Sequence, residues 1–387
     1  MPNGRRRIVL IVADTLRADS LGAYGGVEPT PHIDRLSRDA TLYETARSNA
    51  PWTLPSMASL MTGMLPSEVG AAQMVPAIRP EAQTLAERLH VAGFSSWAIS
   101  ANPTLLPSSG IPRGFDRFEV ARAVMPGPEV TSRAVSWLRE PALPDRLLLY
   151  LHYMEPHDPY HPAEGSGEIT TADLTAAAAK RQRITPSRSQ VELLRHRYQQ
   201  DVLDLDISVS AALHEARRAG ARIVLTADHG EEFFEHGSFK HGQSLYDELL
   251  RVPLLVTGSG AERIDRAVTL TVVAPMLLSA ATEPHPAIAS VVSEPRHDRA
   301  ETVASVPGRV RLVRLCAAWA DGYKAIRDLD TGEVRFYELP REEVPVVPPE
   351  ATARALDELT KPWSPPPRSS DPPAELEQRL RELGYVQ

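Results

Sequence analysis

Three apolar runs, each cut off by an acid or a histidine, constrain the fold of this chain more than any other feature. Ile8–Ala13 is six residues of aliphatic, mostly β-branched side chains, stopped by Asp14. Arg146–Tyr153 passes into a stretch rich in histidine and proline. Ala221–Thr226 is followed at once by Ala227-Asp228-His229-Gly230. Unbroken apolar runs suit strands covered on both faces, as in a parallel sheet; half-exposed strands alternate instead. Helical spacing lies between and around them, over Pro29–Ala46, Thr53–Met64, Thr84–Ala92, Thr131–Arg139 and Val191–Gly220. Phe94–Ser100 and Val252–Thr257 read as two more strands, and Val268–Ala281 as a further helix. The alternation predicts an α/β protein, a three-layer αβα sandwich around a mainly parallel central sheet. Ligands of such sheets gather beyond the carboxyl ends of the strands. Asp14, the loop after Tyr153 and Asp228-His229 all fall there, so one site is expected to collect them.

The length, 387 residues, allows one large domain over 1–300 with a surface insertion near 163–190. A small C-terminal α+β part follows, strand-rich over 301–340, with an Asp330-Thr331-Gly332 turn. A proline-rich tail, 341–387, is expected to be extended over Pro340–Pro373 and to end in a short polar helix, Pro373–Leu383. A net charge of −8, with no basic run carrying interleaved aromatics, argues against a nucleic-acid binder. The single cysteine, Cys316, excludes an intrachain disulfide and a cysteine-rich metal site; its apolar neighbours predict a buried thiol. No window is apolar enough to span a membrane, and Ile8–Ala13 is shorter than a secretory apolar core. The expectation is a cytoplasmic protein. Nothing in the sequence sets an oligomeric state.

Single residues leave alternatives open. Asp14 suits a divalent cation or a helix cap equally well. Asp228 and His229 are donors that suit Zn²⁺ or Mn²⁺, and Gly230 permits a sharp turn. His152, His157, His161, His236 and His241 could ligate a metal or bind phosphoryl or sulfuryl oxygens; they could as well cap helices or face water. His152 lies within a strand and suits a structural role. Thr53, at a helix start, is an N-cap or a hydroxyl placed where the helix favours an anion.

Several segments together resemble bacterial sulfatase-like members of the alkaline phosphatase superfamily. They are Ile11–Gly25 with Ala13-Asp14-Thr15-Leu16-Arg17, Ala50–Gly63 with Trp52-Thr53-Leu54-Pro55-Ser56, and Pro156-His157-Asp158-Pro159-Tyr160. Tyr198 to Asp206, Thr226–Glu232, His236-Gly237 to His241-Gly242, Tyr246 to Pro253 and Leu380–Val386 complete the series. The resemblance implies that Asp14, Asp228 and His229 ligate a metal, with Thr53 as fourth ligand at the nucleophile position. It implies that His157 and His241 bind the oxygens of the transferred group or hold a second metal, and that His152, Lys240 and His236 belong to the same pocket.

The departures from the pattern are informative. Sulfatases proper carry Cys or Ser at the position of Thr53, oxidised to an aldehyde, and follow it with Pro-Ser-Arg. Here Thr53 would oxidise only to a ketone, and Met57 stands in place of the arginine. Thr15 stands where sulfatases often have a second aspartate. Threonine at this position resembles the superfamily's phosphodiesterases and phosphoethanolamine-type transferases. The implied activity is a metal-dependent hydrolase, or transferase, of phosphate, phosphonate or sulfate esters through a metal-bound Thr53. The implied substrate is a small anionic ester. One divalent ion is expected, Zn²⁺, Mn²⁺, Mg²⁺ or Ca²⁺; a second would need His157, His241 and one more residue of the 152–161 loop. The alternatives are a strict sulfuric-ester hydrolase and a non-catalytic binding protein on a sulfatase fold.

Overall fold

The computed structural model describes residues 5–72, 77–121, 123–160, 186–282, 299–304, 313–340, 342–361, 374–375 and 378–379. His161, the body of the proposed insertion and the terminal Leu380–Val386 motif lie outside the described residues.

The apolar runs form the middle of an eight-stranded sheet. Its strands are β1 (Arg6–Ala13), β2 (Ala40–Tyr43), β3 (Ser95–Ser100), β4 (Arg117–Val120), β5 (Arg146–Tyr153), β6 (Arg222–Ala227), β7 (Leu254–Thr257) and β8 (Glu262–Ile264). They lie in the order β8-β2-β7-β6-β1-β5-β3-β4. All run in one direction except β7, which is antiparallel to both neighbours. From Ile8 to Ala13, β1 is buried, as its unbroken apolar run requires. Helices Pro31–Ser37, Gly127–Leu138 and Arg188–Arg218 pack together in one layer; Thr53–Thr62, Leu85–Val91 and Val273–Thr282 pack together in the other.

Register sets the site. Ala13 pairs with Tyr153 of β5 on one side and with Ala227 of β6 on the other. Asp14, Met154 and Asp228 are therefore the first residues past three adjacent strand ends. Ser100 of β3 pairs with His152, which brings the segment after β3 to the same rim.

Local expectations fail where a distant pairing competes with them. The predicted helix Pro29–Ala46 stops at Ser37, and Ala40–Tyr43 is a strand against β7. Thr41, Leu42 and Tyr43 pack well on a pleated surface, and the sheet rewards that more than another helical turn would. Val252–Thr257 splits at Pro253, which has no N–H for a ladder; its carbonyl accepts the Thr226 hydroxyl at 2.7 Å instead. Val268–Ala281 opens as the strand Val268–Thr269 and a 3-10 turn before its helix begins at Val273. Besides β2, two further strands of this sheet were not foreseen: β4 and β8 are its edges, where short and partly exposed segments leave a weak pattern.

The C-terminal strands form an antiparallel four-stranded meander of Arg299–Ala304, Val313–Ala320, Tyr323–Asp328 and Val334–Glu338. Asp321 and Gly322, with φ of 52° and 78°, make the two-residue turn that joins the middle pair. One face of this sheet packs Ala317 and Trp319 on Leu245 and Leu250; the other packs Ala318 and Ala325 on Leu356. Leu356 belongs to helix Glu350–Leu359, so the segment after Pro340 is not extended throughout as its prolines predict. Pro349 precedes that helix, where a missing N–H costs nothing. Cys316 is buried as expected, and burial pushes its thiol up to about 12.

A buried ion network fastens this sheet to the short strand Ala46–Arg47 and the helix Asp247–Leu250. Lys324 Nζ lies 2.9 Å from Asp247 Oδ1 and 2.8 Å from Glu342 Oε1, and Arg47 meets Asp247 at 2.7 Å. Lys324→Met removes the cation, leaves the buried Glu342 carboxylate without this ion pair and Asp247 with Arg47 alone, so it is expected to cost about 3–5 kcal/mol. Urea denaturation reads this as a lower midpoint; a midpoint unchanged from wild type would show the network to be energetically idle.

Candidate active site

Four adjacent strand ends deliver the cluster. Asp14 follows β1 and is wholly buried. Its Oδ2 accepts hydrogen bonds from Asn102 Nδ2 at 2.7 Å and Thr53 Oγ1 at 3.4 Å, and lies 3.1 Å from His152 Nε2. Its Oδ1 has no hydrogen-bond partner and faces His229 Nε2 at 3.5 Å. Asp228 repeats the arrangement. Its Oδ1 accepts the backbone N–H of His229 at 2.9 Å and of Thr15 at 3.3 Å, while Oδ2 is buried, unpartnered and 3.4 Å from His229 Nε2. His229 Nδ1 is turned away to the Gly230 carbonyl at 2.9 Å, which leaves Nε2 for the cluster.

Burial and the charge of Asp14 push the Asp228 carboxyl well above its ordinary value. Burial raises Asp14 too, but the bond to His152 and the charges of His157, His152 and His229 outweigh it and hold Asp14 well below. Burial lowers His229. Two buried carboxylates side by side cannot both ionise cheaply unless a cation joins them. The two orphaned oxygens and the His229 nitrogen are donors that fit a divalent ion. Asp14, His152 and Asp228 also form a group whose ligand atoms lie within 4.8 Å of one another. His152, however, already uses both nitrogens, on Asp14 and on Tyr150 Oη at 2.5 Å.

Thr53 is not a cap. Trp52 is the N-cap residue, and Thr53 begins the ten-residue helix Thr53–Thr62. Its hydroxyl lies 3.4 Å from both Asp14 Oδ2 and His229 Nε2. Ser56 Oγ, one turn further on, donates to the Asp228 carbonyl at 2.5 Å and ties the helix start to the Asp228 loop. Gly230 is required beside it: a Cβ there would lie 2.1 Å from the Glu248 carbonyl oxygen.

The histidines divide. His241 packs its ring 4.5 Å, centre to centre, from that of His229 and 5.0 Å from that of His157. Burial and the neighbouring charges of His229 and His157 lower His241 well below its ordinary value. Lys240 is at the rim, ion-paired with Asp158 at 3.0 Å. His236 is not brought to this cluster. Its nitrogens go to Glu248 at 2.6 Å and the Glu342 carbonyl at 3.0 Å, and it lines a separate cavity of about 750 Å³ beside the C-terminal sheet. Against burial, the carboxylate of Glu248 raises it to about 9.

Sequence reasoning passed over Asn102 and gave no site role to Thr15. Asn102 follows β3 as Asp14 follows β1, so the same strand-end rule could have found it. Thr15 has a φ of 56°, a costly left-handed conformation for a β-branched residue, and a buried hydroxyl without a hydrogen-bond partner. No local signal marks that strain.

Family match and fold together place the chain among the ester hydrolases of the alkaline phosphatase superfamily. The family model described as Sulfatase matches residues 6–282, and the chain belongs to the sulfatase family. The uncharacterized sulfatase YidJ of Escherichia coli strain K12 is 24% identical over 360 residues, covering 76% of this chain and 72% of that protein. The structure of a 2-O GAG sulfatase superposes with a TM-score of 0.73 at 19% identity, over 92% of this chain and 90% of the other. A phosphonate monoester hydrolase from Silicibacter pomeroyi superposes at 0.69 with 16% identity, over 92% and 94%. Among the described residues no helix is long and apolar enough to cross a membrane.

Proposed function

We propose that this hydrolase cleaves phosphate or phosphonate esters of small anionic molecules with Thr53 as its nucleophile. The observation that carries the reading is the Thr53 hydroxyl, buried at a helix start and 3.4 Å from both Asp14 and His229. Asp14, Asp228, His229 and Thr53 would hold one divalent cation. Bound there, the cation would lower the pKa of a ligated hydroxyl and screen the charge of an approaching ester. Thr53 gives up its hydroxyl proton to His157 or His241 and its Oγ1 attacks phosphorus; an O–P bond forms as the bond to the leaving alcohol breaks. His157 and His241 face the non-bridging oxygens, and one of them returns a proton to the leaving oxygen. Water then attacks phosphorus, breaks the O–P bond to Thr53 and restores its hydroxyl. His152 and Asn102, both bonded to Asp14, aim that carboxylate. The chain is organised as a catalytic domain over 1–300, a strand-rich part over 301–340 and a tail.

Initial rates on nitrophenyl phosphate, bis-nitrophenyl phosphate, a nitrophenyl phosphonate and nitrophenyl sulfate test this, with chelator and with Mn²⁺, Zn²⁺, Mg²⁺ or Ca²⁺ added. The expected result is turnover of a phosphorus ester, lost in chelator and restored by one of the ions. Turnover of the sulfate alone would overturn the phosphorus reading in favour of a sulfuric-ester hydrolase acting through threonine.

A further inference from the structure

We propose that Glu231 is a positioning residue, clamped by Tyr160, which fixes the His241 ring so that Nε2 and not Nδ1 is offered to the reacting ester. The proposal rests on the reading of His241 as a group that meets the ester. Glu231 Oε1 lies 2.9 Å from His241 Nδ1, and Oε2 accepts the Tyr160 hydroxyl at 2.8 Å. Both carboxylate oxygens are thereby engaged, and Glu231 is fully buried. Its backbone is pinned as well, since Glu231 N donates to the Glu248 carbonyl at 3.0 Å.

A buried carboxylate against one ring nitrogen makes that nitrogen the donor. The other nitrogen is thereby the one turned away from Glu231. Without the carboxylate the ring is free to flip or to change tautomer, and the same histidine then faces the ester with the wrong nitrogen. The clamp also joins two loops. Tyr160 and Asp158 come from the segment after β5, whereas Glu231 and Lys240 come from the segment after β6, and the pairs Tyr160–Glu231 and Asp158–Lys240 hold the two together.

The test compares Glu231→Gln, Tyr160→Phe, His241→Asn and the Glu231→Gln/His241→Asn double variant on nitrophenyl and unsubstituted phenyl esters of the active class. An orienting role matters most when the departing oxygen needs a proton. Glu231→Gln is expected to lower kcat on the phenyl ester by about 100-fold or more and on the nitrophenyl ester by less than about 10-fold, with KM little changed. Tyr160→Phe, a milder change, is expected to show the same bias with a smaller loss. The double variant should be no worse than His241→Asn alone, because the two act as a unit. Nitrogen-15 spectra of histidine-labelled protein, assigned with His241→Asn, should show His241 protonated at Nδ1 in the wild type and not in Glu231→Gln. Equal losses on both esters, additive losses in the double variant, or an unchanged ring spectrum would overturn the proposal. Full turnover in Thr53→Ala would instead sink the nucleophile reading, and the ring spectrum would still decide the role of Glu231.

Discussion

Thr53→Ala is expected to turn over phosphorus esters at least about 10³-fold more slowly than the wild type while still taking up a divalent ion. The size of the loss follows from the chemistry. A covalent route through Oγ1 disappears with the hydroxyl, and a water in its place lacks the fixed position that the helix start provides. Metal uptake survives because the remaining donors, Asp14, Asp228 and His229, are on other elements and keep their partners. Alanine at the first helical position retains the fold, since Trp52 and not Thr53 holds the N-cap place. Rates measured beside metal content by mass spectrometry separate the two effects. A variant that is active at the wild-type rate removes Thr53 from the chemistry; a variant without metal makes it a ligand whose loss alone empties the site.

The second large effect falls on Asp228. Asn keeps the size of the side chain and an acceptor oxygen for the two backbone N–H groups, but removes the charge that opposes a cation. The expected outcome is a loss of metal affinity greater than about 100-fold, since even residues that only support a ligand are worth 10–100-fold. Stability reports it independently of activity. A ligand at about 100 times its Kd stabilises a protein by about 2.7 kcal/mol, so wild type should melt higher with the ion than with chelator. Asp228→Asn should melt at one temperature in both. The metal-free variant should also be no less stable than metal-free wild type, because Asn removes the cost of burying a charge and the repulsion from Asp14, which together push Asp228 upward. A metal-dependent melting shift preserved in Asp228→Asn would place the ion elsewhere.

Much of this site is legible in the sequence because its elements are short and local. Asp14 and Asp228 each interrupt an apolar run, and such a run is buried whichever strand it pairs with. Thr53 stands beside a helix start that Pro55 announces. The helix that ended early at Ser37 shows the opposite case: Ile33, Leu36 and Ala40 keep helical spacing, yet Ala40 is recruited by a strand beginning at Leu254. Asp321-Gly322 carried a hairpin signal as plain as Asp330-Thr331-Gly332, and the structure uses it as a two-residue turn. His236 could not be separated from His241 by spacing, since both follow His229 within one loop. What separates them is the loop's path, which sends one ring to Glu248 and the other to Glu231.

By itself, then, the sequence determined the α/β class, the buried strands and the side chains able to do chemistry at their ends, because hydrophobic runs and their interruptions are properties of neighbours. Only the tertiary structure decided which of those ends share a rim. Asp14 meets His152 across 138 positions of chain and Thr15 meets Asp228 across 213, and strand order over such distances is set by how whole layers pack. The same packing left Asp14 Oδ1 and Asp228 Oδ2 without partners, a shortage that no single segment of the chain contains.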